Sequence, residues 1–95
     1  MPAYLIADVE VTDPVQYEEY KKLAPPAIAK YGGRYLARGG AHETMEGTWL
    51  PRRLVILEFP DMARARAFYQ SPEYAAARAA RKNAATGNFV IVEGL

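Results

Sequence analysis

The chain of 95 residues contains one histidine and no cysteine. Its chemistry therefore has to be run by arginine, tyrosine, carboxylates and at most one imidazole. A thiol nucleophile, a disulfide framework and every cysteine-based metal site are excluded. His42 lies in the stretch Gly39 to Pro51 (GGAHETMEGTWLP), together with the only tryptophan, Trp49. An imidazole titrates near neutral pH and can act as a general base, with Glu43 or Glu46 to orient it. The competing reading is an exposed loop histidine among solvated glutamates. One imidazole and two carboxylates fall short of a closed zinc site, so no metal is expected. Arg38 stands at the entrance of the same stretch, just before Gly39-Gly40, and Arg53 stands at its exit. Small residues there let a ligand approach the backbone, and a guanidinium can clamp a carboxylate or enolate bidentately. Alternatively Arg38 is a bulge arginine paired with Glu46 or Glu58, and Arg53 carries the same ambiguity one strand over.

Tyrosines form the second chemical resource. Tyr17, Tyr20 and Tyr31 recur at helical spacing, and Tyr69 and Tyr74 fall on a later helical region. Such side chains either line a pocket for a planar organic molecule or serve as bulky core filler. Asp8 and Glu58 fall on the mixed faces of two strands read as parallel neighbours. Strands lie roughly 4.8 Å apart, so carboxylates in register would share a proton; otherwise they meet water or an arginine. Pro2 has a basic nitrogen only if Met1 is removed, since in an amide it has none. Glycine-rich phosphate loops, nucleophile elbows and dinucleotide fingerprints are absent, and no cofactor is expected.

These residues need a frame. Ala3 to Val11 alternates, with Leu5, Ala7, Val9 and Val11 on one face, as a strand does. Asp13-Pro14 with Gln16 reads as an N-cap, a proline at the first helical position and a capping box. The helix that follows is expected to kink or restart at Pro25-Pro26 and to end at Gly32-Gly33. Arg34 to Arg38 and Arg52 to Phe59 read as strands, the latter central because Leu54 to Leu57 is continuously aliphatic. Asp61 caps a helix over Met62 to Gln70. Ser71-Pro72-Glu73 restarts a helix with a body from Tyr74 to Ala85, Gly87 closes it, and Phe89 to Glu93 is the last strand.

The order β-α-β-β-α-β predicts a single α+β domain over residues 1–95. It is a ferredoxin-like four-stranded antiparallel sheet with its helices on one face. The uncovered face is expected to carry Ile6, Leu54, Ile56, Phe89 and Ile91, an apolar patch that predicts a homodimer through the open sheet. Composition points the same way. Alanine supplies 17 residues, a chain this short buries only about 60–65% of its unfolded surface, and a partner is one way to add burial. The formal charge of +1 argues against a nucleic-acid groove, and Arg64, Arg66, Arg78, Arg81 and Lys82 are interleaved with alanine, not with aromatic rings. The N-terminal residues lack a basic leader, and no apolar run is long enough to span a membrane, so a cytoplasmic location is expected.

Four short motifs add a resemblance. Arg38-Gly39-Gly40, Glu58-Phe59-Pro60, Tyr69-Gln70-Ser71-Pro72-Glu73-Tyr74 and Val92-Glu93-Gly94 are similar to the domain-of-unknown-function 1330 family of the dimeric α/β-barrel superfamily. The opening Ala3-Tyr4 strand and the Asp13-Pro14 helix start fit it too. The resemblance implies a ferredoxin-like dimer closing into an α/β barrel, without an established reaction. Related branches include cofactor-independent monooxygenases, haem-using enzymes and lactone isomerases, but their motifs do not match here and supply no catalytic residue. Two readings follow. In the first, the chain is a cofactor-independent enzyme acting on a small aromatic or enolisable carboxylic acid. Arg38 would hold the anion, His42 move a proton, Tyr20 or Tyr69 position the ring, and Trp49 and Arg53 add contacts. In the second, it is a non-catalytic metabolite-binding or structural dimer.

Overall fold

The computed structural model describes residues 1–95. Strand β1 (Ala3–Val11) leads through Asp13 into helix α1 (Pro14–Lys30), followed by β2 (Arg34–Arg38) and β3 (Leu54–Phe59). Helices α2 (Met62–Tyr69) and α3 (Pro72–Arg81) precede β4 (Ala85–Glu93). The strands form one antiparallel sheet in the order β2-β3-β1-β4, which is the ferredoxin-like arrangement.

The helix starts form as their residues dictate. Asp13, Asp61 and Ser71 each accept a hydrogen bond from the backbone N–H three residues on. The capping box at Asp13 is only half made, because the Gln16 amide donates instead to Ala80 O on α3. Helix α1 runs unbroken through Pro25 and Pro26, where a kink or restart is expected from sequence. Ala24, Ala27 and Ile28 are buried on either side of the prolines, so packing against the sheet outweighs the lost hydrogen bonds. Gly32 ends the helix with φ +79°, a conformation open to glycine at little cost.

The end of the chain differs from the sequence reading. Helix α3 stops at Arg81, and β4 begins at Ala85, pairing Ala85 with Val11 and Gly87 with Val9. Gly87 is thus a strand residue, and a Cβ there would meet Asp8 O at 2.8 Å. The parity of β4 is also reversed. Phe89 pairs with Ala7 and Ile91 with Leu5, and directly opposed residues share a face. Phe89 and Ile91 therefore pack under the helices. The open face instead carries Val90 beside Ile6 and Val92 beside Tyr4, together with Ile56 opposite Ile6 and Leu54 opposite Asp8. The run FVIV is apolar at both parities, so alternation alone could not choose its inner face.

The core lies between the helices and the inner face of the sheet. Its largest fully buried side chains are Tyr74, Phe59 and Phe68, with ring centroids 5.1 Å apart for Phe59–Phe68 and 4.4 Å for Phe68–Tyr74. Phe68→Ala is expected to cost about 3–5 kcal/mol, whereas Val15→Ala, at an exposed site, should stay within about 0.5 kcal/mol. Urea denaturation checks both; a loss below about 1 kcal/mol for Phe68→Ala would remove this ring from the centre of the core.

Candidate active site

A cavity of about 480 Å³ opens between α1 and the inner face of the sheet. Its floor is Leu5, Ala7 and Val9 of β1 with Val55 and Leu57 of β3, and its opposite wall is Tyr17, Tyr20, Ala24 and Ile28 of α1. Tyr35, Arg38, Arg53, Tyr74 and Phe89 complete the lining, with Glu18, Lys21 and Lys22. Helical spacing brings Tyr17 and Tyr20 together, their rings stacked at 5.1 Å. A register shift between Tyr35 and Ala37 places Arg38 opposite Val55 and Tyr35 opposite Leu57. This bulge swings Arg38 onto the same face as Tyr35, where uninterrupted alternation would set them on opposite sides. The guanidinium of Arg38 then lies over the Tyr35 ring at 4.7 Å.

The arginines that line this site have no salt-bridge partner. The chain's salt bridges are Lys21–Glu18, Lys30–Glu73 and Arg34–Glu58; Arg38, Arg53 and Arg81 take part in none. The Nε atoms of Arg53 and Arg81 are buried without a hydrogen-bond partner, which normally carries a desolvation penalty. Arg81 lies outside this lining, over the rings of Tyr20 at 5.4 Å and Phe89 at 4.6 Å. Gly39, with φ +70°, leaves its surface free for Arg53, whose Nη1 would collide with any Cβ there. The glycine expected to admit a ligand thus admits an arginine. Burial raises the phenol pKa values of Tyr17, Tyr20 and Tyr35, and neighbouring Arg53, Arg81 and Arg38 respectively oppose that rise. Tyr20 is raised furthest, chiefly by burial and then by neighbouring Tyr74, whose hydroxyl shares a 2.7 Å hydrogen bond with it. The phenols therefore serve as neutral donors. Glu18, the one carboxylate in the lining, is exposed and bound to Lys21 at 3.2 Å.

Of the residues singled out from sequence, Arg38, Arg53 and Tyr20 meet in this cavity, whereas His42, Trp49 and Tyr69 do not line it. Tyr69 stacks under Arg78 at 4.8 Å near β4. Trp49 lies toward the open face of the sheet, its indole N–H donating to Asp8 Oδ2 at 2.8 Å. His42 stays in its own loop, with Nδ1 3.2 Å from Gly40 O and Nε2 2.8 Å from Pro51 O. The Asp8–Glu58 pair is not made. Strands β1 and β3 are antiparallel, with Asp8 opposite Leu54 and Glu58 opposite Tyr4, and Glu58 binds Arg34 at 2.7 Å. Sequence reasoning missed Tyr35, whose place in the lining lies beside a bulge that alternation does not reveal. Nowhere do three His, Asp or Glu side chains converge into a set able to hold a metal ion, and no helix is long and apolar enough to cross a membrane.

The fold and this cavity define a ferredoxin-like α+β domain with an arginine- and tyrosine-lined pocket between helix and sheet. The chain belongs to the family described as Domain of unknown function (DUF1330), whose model matches residues 2–95. No curated protein matches it. Among solved structures it is similar to a protein of unknown function from Rhodopseudomonas palustris, with TM-score 0.75, 19% identity, and coverage of 99% of this chain and 82% of that one. A dimeric ferredoxin-like protein of unknown function from Jannaschia sp. CCS1 aligns with TM-score 0.70 and 14% identity, over 99% and 100% of the two chains. SnoaB from Streptomyces nogalater, described as a cofactor-independent oxygenase, aligns with TM-score 0.67 and 11% identity, over 99% and 93%. At these identities the TM-scores show a shared fold alone.

Both ring nitrogens of His42 face carbonyl oxygens, and only the imidazolium can donate to two acceptors at once. The Pro51 and Gly40 carbonyls, with Asp8 nearby, accordingly raise its pKa above the ordinary value of about 6.5. A raised folded pKa contributes stability that is complete below the unfolded value and is lost as pH rises through the folded one. His42→Ala is thus expected to destabilise the protein more at pH 5.5 than at pH 8.5. An NMR titration should place the imidazole midpoint above about 6.5; a midpoint below it would contradict the two-carbonyl clip.

Proposed function

We propose that the chain binds a small planar organic anion, an aromatic or enolisable carboxylic acid, in the cavity between α1 and the sheet. The observation that carries this reading is Arg53, an arginine without an acidic partner whose buried Nε is unsatisfied at the wall of a cavity built from neutral phenols. A carboxylate or enolate supplies the missing acceptor and counter-charge, Arg38 adds a second cation, and Tyr17, Tyr20 and Tyr35 contact the ring.

As an enzyme the site would work without a cofactor. With neutral phenols and a Glu18 already bound to Lys21, its contribution is electrostatic: the arginines lower the pKa of an acidic substrate, whose proton passes to solvent water, and stabilise the enolate. The likeness to SnoaB, described as a cofactor-independent oxygenase, supports this catalytic form; binding without turnover is the alternative. His42 is assigned to holding its loop, not to proton transfer, because both its ring nitrogens already face carbonyls.

The same reading makes the protein a homodimer through the open sheet face, closing into an α/β barrel. Supporting it are Ile6, Leu54 and Ile56 with Val90 and Val92, the last two 58% and 47% exposed, and the fold likeness to a dimeric ferredoxin-like protein.

Small aromatic carboxylates should raise the melting temperature of the wild type. Arg53→Ala should weaken their binding about 10- to 100-fold, as expected for losing a charge-assisted bond worth about 1.5–3 kcal/mol. Unchanged affinity would take Arg53 out of the site. Size-exclusion chromatography with light scattering should give twice the 10.6 kDa chain mass, and Val90→Asp should shift the protein toward monomer; a monomeric wild type at tens of micromolar would contradict the sheet-face dimer.

A further inference from the structure

We infer that Asp8 is a positioning residue for Arg53, acting from the opposite face of the sheet by clamping the return of the 39–53 loop onto β1. Asp8 itself projects from the open face, opposite Leu54 on one side and Asn88 on the other. Its Oδ1 accepts the Arg52 backbone N–H at 3.0 Å, and its Oδ2 accepts the Trp49 indole N–H at 2.8 Å. The next residue, Val9, donates its N–H to Arg53 O at 2.9 Å. The peptide units on both sides of residues 52–53 are thereby tied to two consecutive residues of β1. That fixes the direction in which the Arg53 side chain leaves the backbone, toward the inner face and across Gly39.

The loop has no other side-chain anchor on the sheet. His42 bonds only to the carbonyls of Gly40 and Pro51, and Thr44 Oγ1 donates to Trp49 O at 2.6 Å, all within the loop. Met45, Trp49 and Leu50 are exposed and add little packing. Residues this open are held by specific bonds or not at all, and Asp8 provides two of them. The loop hydrogen bonds lower the Asp8 pKa, the Trp49 indole contributing most and the Arg52 N–H next. The clamp therefore persists at neutral pH. What the positioning serves rests on the anion-binding reading of the cavity; the positioning itself does not.

The test needs no ligand. Asp8→Ala and Asp8→Asn are compared with the wild type and with Glu10→Gln, an exposed acid on the same strand, with far-UV circular dichroism confirming the fold. Emission and acrylamide quenching of Trp49, the only tryptophan, read the clamp. Phenylglyoxal labelling resolved by mass spectrometry reads Arg53, with exposed Arg64 as internal reference. Asp8→Ala is expected to increase Trp49 quenching and to label Arg53 several-fold faster. Asp8→Asn, which keeps one acceptor, should fall between, and Arg64 and the Glu10→Gln protein should not change. Unaltered Arg53 labelling in the folded Asp8 variants overturns the inference, whether or not Trp49 is released. If Asp8→Ala does not fold, Asp8→Asn decides by the same criteria. Failure of aromatic carboxylates to bind the wild type would remove the anion reading alone and leave the labelling result standing.

Discussion

Alanine packed where larger side chains usually sit creates the space on which the rest of this structure depends. Ala3 and Ala7 on the inner face of β1 are buried against the helical layer, as are Ala24 and Ala27 of α1. Side chains that small leave a layer between helix and sheet that must be filled or remain hollow. Phenylalanine and tyrosine rings fill one end, with Phe68 packed between Phe59 and Tyr74. Toward the end of the sheet where β2 stops and β3 begins, filling is incomplete, and the cavity remains. The same small residues that thin the core therefore leave the cavity open.

Charge placement follows from that geometry. Arginines at the two ends of the 39–53 loop reach the cavity from β2 and from the residue preceding β3, while the acidic side chains are committed elsewhere: Glu58 to Arg34, Glu73 to Lys30, and Asp8 to the loop. The cavity keeps its positive charge, and phenols rather than carboxylates answer it. Burial holds those phenols protonated, so they donate hydrogen bonds and do not compete as anions. The proposed anion matches this charge, whereas a cation or a neutral sugar would leave the buried Nε of Arg53 unpaired.

Much of the fold was legible in the residues. The caps at Asp13, Asp61 and Ser71, the alternation of β1 and the order of elements were enough for the ferredoxin-like topology, because each is a local rule acting over a few residues. The site was legible in part: Arg38, Arg53 and Tyr20 converge, whereas His42, Trp49 and Tyr69 go elsewhere. Residue type marked all six as chemically able, yet type carries no information on which side of the sheet a loop returns. His42 and Trp49 belong to a segment without periodicity, and Tyr69 sits at the end of a two-turn helix whose rotation is set by its packing.

Elements, their order and the limit on mechanism follow from the residues alone, since hydrophobic period, caps and the count of cysteine and histidine are properties of the chain before it folds. Tertiary structure decided the inner face of β4, the continuity of α1 across Pro25-Pro26 and the side of the sheet that Arg38 faces. Each of these turns on a contact between distant segments. The Ala85–Val11 register orients Phe89, burial of Ala24 and Ile28 holds the proline-bearing helix, and the bulge against β3 redirects the arginine. A run apolar at both parities, or a single inserted residue in a five-residue strand, has nearly the same local energy in either arrangement, and only the partner strand separates the two.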